Sequence, residues 1–332
     1  MTVRVYTSLD TGAPALTGDH FDKIRTILMA CLVTGYGGKP GAGWTVGHDI
    51  PAGFSLGNGD GFVNYVRNSS AEFVGIYIME SVTDGTTGLA GGVNRRSAYW
   101  YDGSSETTRG FHYLQNSLIN HWMVVADEKT CIYQAGYVTS TTSANAISAI
   151  TYSAQYFGRY INAMGLSGPA EFCSVGNGYN TSGNGWFTQA YGCCLRNPFT
   201  GVVDQGAAPR YFAPGANFGD SRIAGFYQNL RAKVYPARLQ PVRAALACFG
   251  SGLNGATTSS QAAIAGYLRG LITEPCLSIS PLSEVLVTLG LTNTWQGRVR
   301  PINIPGGRQW LPIFGYTQDL GFFASLDAAD WG

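Results

Sequence analysis

Charge is what this 332-residue chain has least of. Lysine, arginine, aspartate and glutamate make up 12% of it, about half of the usual quarter. The net charge is +1, which leaves no electrostatic case for nucleic acid or an acidic membrane surface as partner. Histidine is nearly absent, with His20, His48, His112 and His121 widely separated. No run approaches eighteen uninterrupted apolar residues, so no membrane span is expected. No Cys-x-x-Cys pair or Cys/His cluster has zinc spacing. The cysteines are Cys31, Cys131, Cys173, Cys193, Cys194, Cys248 and Cys276. They are odd in number, mostly set in apolar runs and not preceded by a secretory leader, so buried thiols in a reducing cytoplasm are the expectation.

A surface so poor in charge favours association, and one use for it is burial against neighbouring subunits. Glycine is abundant instead, at 45 residues, alongside 19 Tyr, 16 Phe and 7 Trp. This is a vocabulary of short strands and tight turns, and the glycines follow no collagen-like period. The expectation is a mainly β fold of sandwich-like antiparallel sheets.

One helix stands out. Phe21, Ile24, Ile27, Leu28, Cys31 and Leu32 recur at helical spacing, Asp19 offers a cap, and Gly35, Gly37 and Gly38 stop the run, which predicts a helix over about 19–34. Strand patterns cover Val3–Tyr6, Phe62–Val66, Glu72–Glu80 and Ser97–Tyr101. His121–Ala126 and Thr130–Gln134 read as a hairpin. Gln155–Tyr160 reads as a strand, although alanines from Ser143 onward make a helix a rival there. Pro169–Val175 reads as a strand, and Trp186–Leu195 as another. Ser260–Ile272 has the pattern of a short helix weakened by Gly266 and Gly270. Pro301–Pro305, Trp310–Phe314 and Leu320–Ala324 read as closing strands, with Asp327–Trp331 as a capping tail. The Gly/Asn-rich stretch 176–185 is the best internal boundary, a loop or hinge. It separates a helix-plus-β region (1–175) from a loop-rich β region (186–332), two halves that could share one core.

The opening residues read Tyr6-Thr-Ser-Leu-Asp10-Thr-Gly-Ala-Pro-Ala-Leu16, and after the helix Gly35-Tyr-Gly-Gly-Lys39-Pro-Gly-Ala-Gly-Trp44-Thr45. This arrangement resembles a family of tailed-bacteriophage virion proteins, in which "SSxDxGAPxLxG" precedes a helix ending "CLVxGYG" and then "KxxAGWT". The likeness continues, in the same order and spacing, through Glu72–Gly88, Tyr99–Tyr101, Trp122–Tyr133 and Tyr156–Tyr160. It is looser at Pro236–Leu246, Tyr267–Gly270 and the terminal Asp330-Trp331. A "GTNKAVYR"-like strand of the family is replaced here by Leu56–Arg67, and the sequence around Asn180 is private to this chain. The resemblance implies a structural virion component of the tail, baseplate or neck, assembled in the bacterial cytoplasm, with other virion proteins and copies of itself as partners. A capsid decoration protein and a host-glycan binding module are the alternatives. It implies no catalytic residue, cofactor or metal.

The candidate chemical groups each have an ordinary reading. Asp127 and Glu128 are neighbouring carboxylates, but at the tip of a predicted hairpin beside Lys129 they read as a solvated turn; glycosidase carboxylates face each other across a substrate. Gly57–Gly61 and Ser174–Gly178 lack the endings of phosphate loops and the acidic pattern of calcium loops. Tyr179 and Asn180 with Trp186, and Tyr99–Tyr101 with Asp102, have the side chains that stack on sugars, yet aromatics at strand spacing more often fill a core or an interface. Gly35–Thr45 reads as a fixed connector with Lys39, anchored by Trp44, whose burial would contribute about 2–3 kcal/mol.

Overall fold

The computed structural model describes residues 1–67, 74–82, 92–94, 96–97, 119–136, 153–177, 190–203, 210–212, 242–249, 262–273, 299–304, 306–314 and 320–332. In chain order the first strands are β1 (Arg4–Thr7), β2 (Thr45–Ile50), β3 (Gly53–Gly57), β4 (Phe62–Arg67), β5 (Val74–Met79), β6 (Ser81–Val82), β7 (Gly92–Val93) and β8 (Arg96–Ser97). Then come β9 (His121–Ala126), β10 (Thr130–Gly136), β11 (Ser153–Asn162), β12 (Phe172–Asn177), β13 (Ala190–Cys194) and β14 (Arg210–Phe212). The last are β15 (Val242–Phe249), β16 (Ala262–Thr273), β17 (Ile302–Ile304), β18 (Arg308–Phe314) and β19 (Leu320–Ser325). The fold is mainly β, and the strand pairs among the described residues are antiparallel.

A twelve-stranded sheet runs β1-β9-β10-β11-β16-β19-β18-β17, with β12 and β13 branching from β11 and β14 and β15 from β16. A five-stranded sheet runs β2-β3-β4-β5-β8. The two sheets meet through aromatic rings: within the small sheet Phe54 stacks on Tyr65 at 4.8 Å, and Tyr65 and Trp44 both pack edge-on against Phe157 of β11 in the large one. The buried Tyr65 hydroxyl donates to Gln155 Oε1 at 2.7 Å, and Gln155 Nε2 donates to Ser174 Oγ at 2.9 Å, so the polar atoms of this seam satisfy one another. One hydrophobic cluster contains Trp44, Phe157, Leu246, Leu311 and Trp331. The large sheet therefore takes strands from both sides of the 176–185 stretch: β12 pairs with β13, and Tyr160 of β11 lies opposite Leu268 of β16.

The helix α1 covers His20–Leu28 and continues as a π-helical turn over Met29–Thr34. Asp19 caps it by accepting from Asp22 N, and Gly35, at φ +78°, ends it. It packs within its own chain. Phe21 meets Phe54 edge-on, and Arg67 lies over Phe21 while pairing with Asp19 and Asp22.

Two sequence expectations need correction. Residues Ala262–Thr273 form strand β16, not a short helix. The pairing decides it: β16 is hydrogen-bonded to β11, β15 and β19, and a Cβ on Gly266 would run into the Ile161 carbonyl of β11. At Pro169 the strand starts later than its apolar pattern, because Gly168–Glu171 is a 3-10 turn with proline at its start and only Phe172 onward pairs. The rival helix near Gln155 is settled as strand from Ser153 to Asn162, while 143–152 lie outside the described residues.

Burial in α1 gives His20 a pH signature. Desolvation, helped by Lys23, lowers its imidazole from 6.5 to about 4. The unfolded chain takes up a proton near pH 6.5 that the folded chain refuses until about pH 4. Stability is therefore full above pH 6.5 and falls toward pH 4, by about 3 kcal/mol in total. Urea unfolding at a series of pH values should show this decline, and His20→Gln should flatten its His-dependent part.

Candidate functional site

The opening segment and the loop after α1 meet beside strand β1. Asp10 folds back on β1, its carboxylate accepting from Thr7 N at 2.8 Å, from Tyr36 Oη at 2.7 Å and from Lys39 Nζ at 2.7 Å. Burial alone would raise the Asp10 carboxyl, but the Lys39, Tyr36 and Thr7 hydrogen bonds outweigh it and hold it below its ordinary value. Glycines let the two loops touch: Gly37 sits at φ +55°, and a Cβ there would collide with the Thr11 carbonyl. Tyr6 Oη donates to Pro40 O at 2.6 Å. The loop then ends on Trp44, which is buried and donates from Nε1 to the Asp127 carbonyl at 2.9 Å. The connector reading of Gly35–Thr45 holds. Trp44→Phe keeps most of the packing but strands that carbonyl, and is expected to cost about 1–3 kcal/mol in chemical denaturation.

Asp127 is where the sequence reading fails. Its side chain is fully buried, not solvated. Oδ1 caps the hairpin turn, accepting from Lys129 N and Thr130 N at 2.8 and 2.7 Å. Oδ2 accepts from Arg269 Nη2 at 2.8 Å, and that arginine, on β16, is only 3% exposed. Arg269 also donates from Nη1 to Thr130 Oγ1 at 2.8 Å and from Nε to the Trp331 carbonyl, and its backbone N–H donates to Tyr156 Oη at 3.0 Å. Its Nη2 lies 3.4 Å from Met1 Sδ. Burial raises the Asp127 carboxyl, and Arg269 and the two amides only partly offset this. Glu128 remains half-buried beside it. The signal available in the sequence was Arg269 itself: a lone cation inside the apolar run Leu268–Ile272 demands a buried partner.

The Gly57–Gly61 segment is a turn closed by its own asparagine. Asn58 Oδ1 accepts from Asp60 N and Gly61 N. Asp60 is buried and bound in bidentate fashion by Arg159 at 2.7 and 2.9 Å, with Lys129 at 3.5 Å, and Glu171 lies 3.4 Å from the Arg159 Nε that Asp60 also uses. Ser174 stands in β12 within the inter-sheet seam rather than in a phosphate loop.

The described histidines do not converge. His20 is buried in α1, His48 Nδ1 meets Ser55 Oγ at 2.9 Å within the small sheet, and His121 Nδ1 meets Ser8 Oγ at 3.3 Å. Burial lowers the pKa of both His48 and His121. His112, Tyr179, Asn180, Trp186 and the stretch from Tyr99 to Asp102 lie outside the described residues. Among the described residues no group of three or more His, Cys, Asp or Glu is placed to hold a metal ion. Burial pushes the Cys31 and Cys131 thiols up, which makes them packing groups at neutral pH. No described helix is long and apolar enough to cross a membrane.

A shallow cleft of about 380 Å³ lies beside the motif loop, with Ala13, Pro14, Leu16 and Ile119 as apolar walls and Ser8, Lys23 and Asn120 as polar ones. Its base is Trp122, itself only 1% exposed, so the indole offers no open face to a ligand. What these clusters do is join elements: Asp10, Asp60, Asp127 and Glu80 each bind a cation contributed by a distant segment. No protein-family model matches the chain, and no curated protein matches it significantly.

Proposed function

We propose that this chain is a structural component of a tailed-phage virion, in the tail, baseplate or neck, working through contacts with copies of itself and with neighbouring virion proteins rather than by catalysis. The observation that carries the reading is where the phage-like phrases fall. Asp10, Tyr36, Lys39, Trp44, Asp127 and Trp331, from segments scattered along the chain, belong to adjoining hydrogen-bond networks that tie the N-terminal loop, the β9–β10 hairpin and the C-terminal tail together. A motif whose residues are spent on internal ties is what a building block requires, and the sparse surface charge suits a protein that is covered by its neighbours.

Immunogold electron microscopy of purified particles tests the assignment. Label at the tail or its tip is the expected result. Label spread over the head would move the protein to capsid decoration, and absence of label under conditions that expose the epitope would overturn the virion reading.

A further inference from the structure

Among the described residues strand β1 ends the twelve-stranded sheet, with β9 as its partner. The register pairs Arg4 with Ala126, Tyr6 with Val124 and Thr7 with Met123, and Ser8 N donates to Trp122 O at 3.0 Å. Because antiparallel pairs alternate, Arg4, Tyr6 and Ser8 turn their backbone groups toward β9, while Val5 and Thr7 turn theirs away. An edge of this kind is a template for another strand.

Here the template is already occupied: Asp10 N donates to Thr7 O at 3.1 Å, and side chains hold Val5 O and Thr7 N as well. Lys39 Nζ donates to Val5 O at 3.0 Å, Asp10 Oδ2 accepts from Thr7 N at 2.8 Å, and Tyr36 Oη approaches Thr7 O at 3.3 Å. The same Asp10 oxygen takes Lys39 and Tyr36, so the three side chains form one unit across the edge.

We propose that Asp10, Tyr36 and Lys39 are an edge guard that withholds β1 from pairing with β1 of a second copy of this chain. The second copy is the partner the geometry fits. An antiparallel β1 brought alongside with Tyr6 opposite Tyr6 sets Val5 against Thr7 and Thr7 against Val5, so the outward groups of each strand meet those of the other about a two-fold axis. Such pairing would join two twelve-stranded sheets into one, and the guard limits assembly to other surfaces.

The guard is independent of the virion assignment, and its test uses no particle. Sedimentation of the full chain carrying Asp10→Ala with Lys39→Met, which together release Thr7 N and Val5 O, should show a species of twice the wild-type mass that grows with concentration. Adding Val5→Pro, which removes an outward N–H that edge positions can forgo, should return the mass to the wild-type value. Wild-type mass in the folded double variant at every concentration overturns the proposal, as does association that Val5→Pro leaves intact. Should the double variant misfold, Asp10→Ser with Lys39→Ala, which opens the same two groups with smaller changes, is compared in the same way. Doubling there supports the guard, and unchanged mass rejects it.

Discussion

Arg269→Met is expected to lower stability by about 3–5 kcal/mol, because it leaves the Asp127 carboxylate buried without its cation. Methionine preserves much of the packing volume, so the loss is electrostatic and not chiefly a cavity. The double variant Asp127→Asn with Arg269→Met separates the two. The substituted amide would keep an oxygen for the Lys129 and Thr130 N–H groups that Asp127 Oδ1 now caps, while the unpaired charge disappears. Urea denaturation of the four corners of this cycle should show the double variant recovering much of the single-variant loss. Equal losses for the single and double variants would mean that the charge pair is not the source.

Gly270→Ala is the second large effect. Gly270 has φ +66°, and a Cβ there would fall inside the Trp331 indole. The strand can keep its path only by expelling that ring. Trp331 is fully buried, its Nε1 donates to Ser325 O at 2.9 Å, and Asp330 beside it accepts from Ser325 Oγ. Losing this docked tail should cost about 3–5 kcal/mol, as for truncation of a core tryptophan, with a smaller contribution from the backbone conformation. Carboxypeptidase digestion reads the result directly: the last residues should be released far faster from the variant than from the wild type. Trp331→Ala should reproduce the stability loss.

Local patterns in the sequence were enough for the elements that local chemistry determines. Helix α1 and its π-helical extension end at Gly35 as the glycines indicate, and the β9–β10 hairpin lies where period two and the Asp127–Lys129 turn put it. Non-local pairing was not legible. Ala, Gly and Leu in Ala262–Thr273 carry no clean period, and the strand exists because β11, β15 and β19 come to it. Asp127 reads as a solvated turn because its decisive partner is 142 residues away. The site shows the same division. Trp44 could be read as an anchor from its place in a glycine loop, but its acceptor, the Asp127 carbonyl, belongs to a hairpin 83 residues further on. The guarding of β1 by Lys39 and Tyr36 needed the strand register before the outward groups could be named.

The convergence on Arg269 also bears on how the chain is made. Ribosomal synthesis delivers the β9–β10 hairpin long before the guanidinium that neutralises its carboxylate, and the Trp331 carbonyl follows 62 residues after that. Until then the hairpin tip must keep its carboxylate hydrated, so the centre of the large sheet cannot dry and close. The final packing step is set late in translation, and nascent chains halted before residue 269 should remain open to protease around Asp127 whatever their local hairpins have formed.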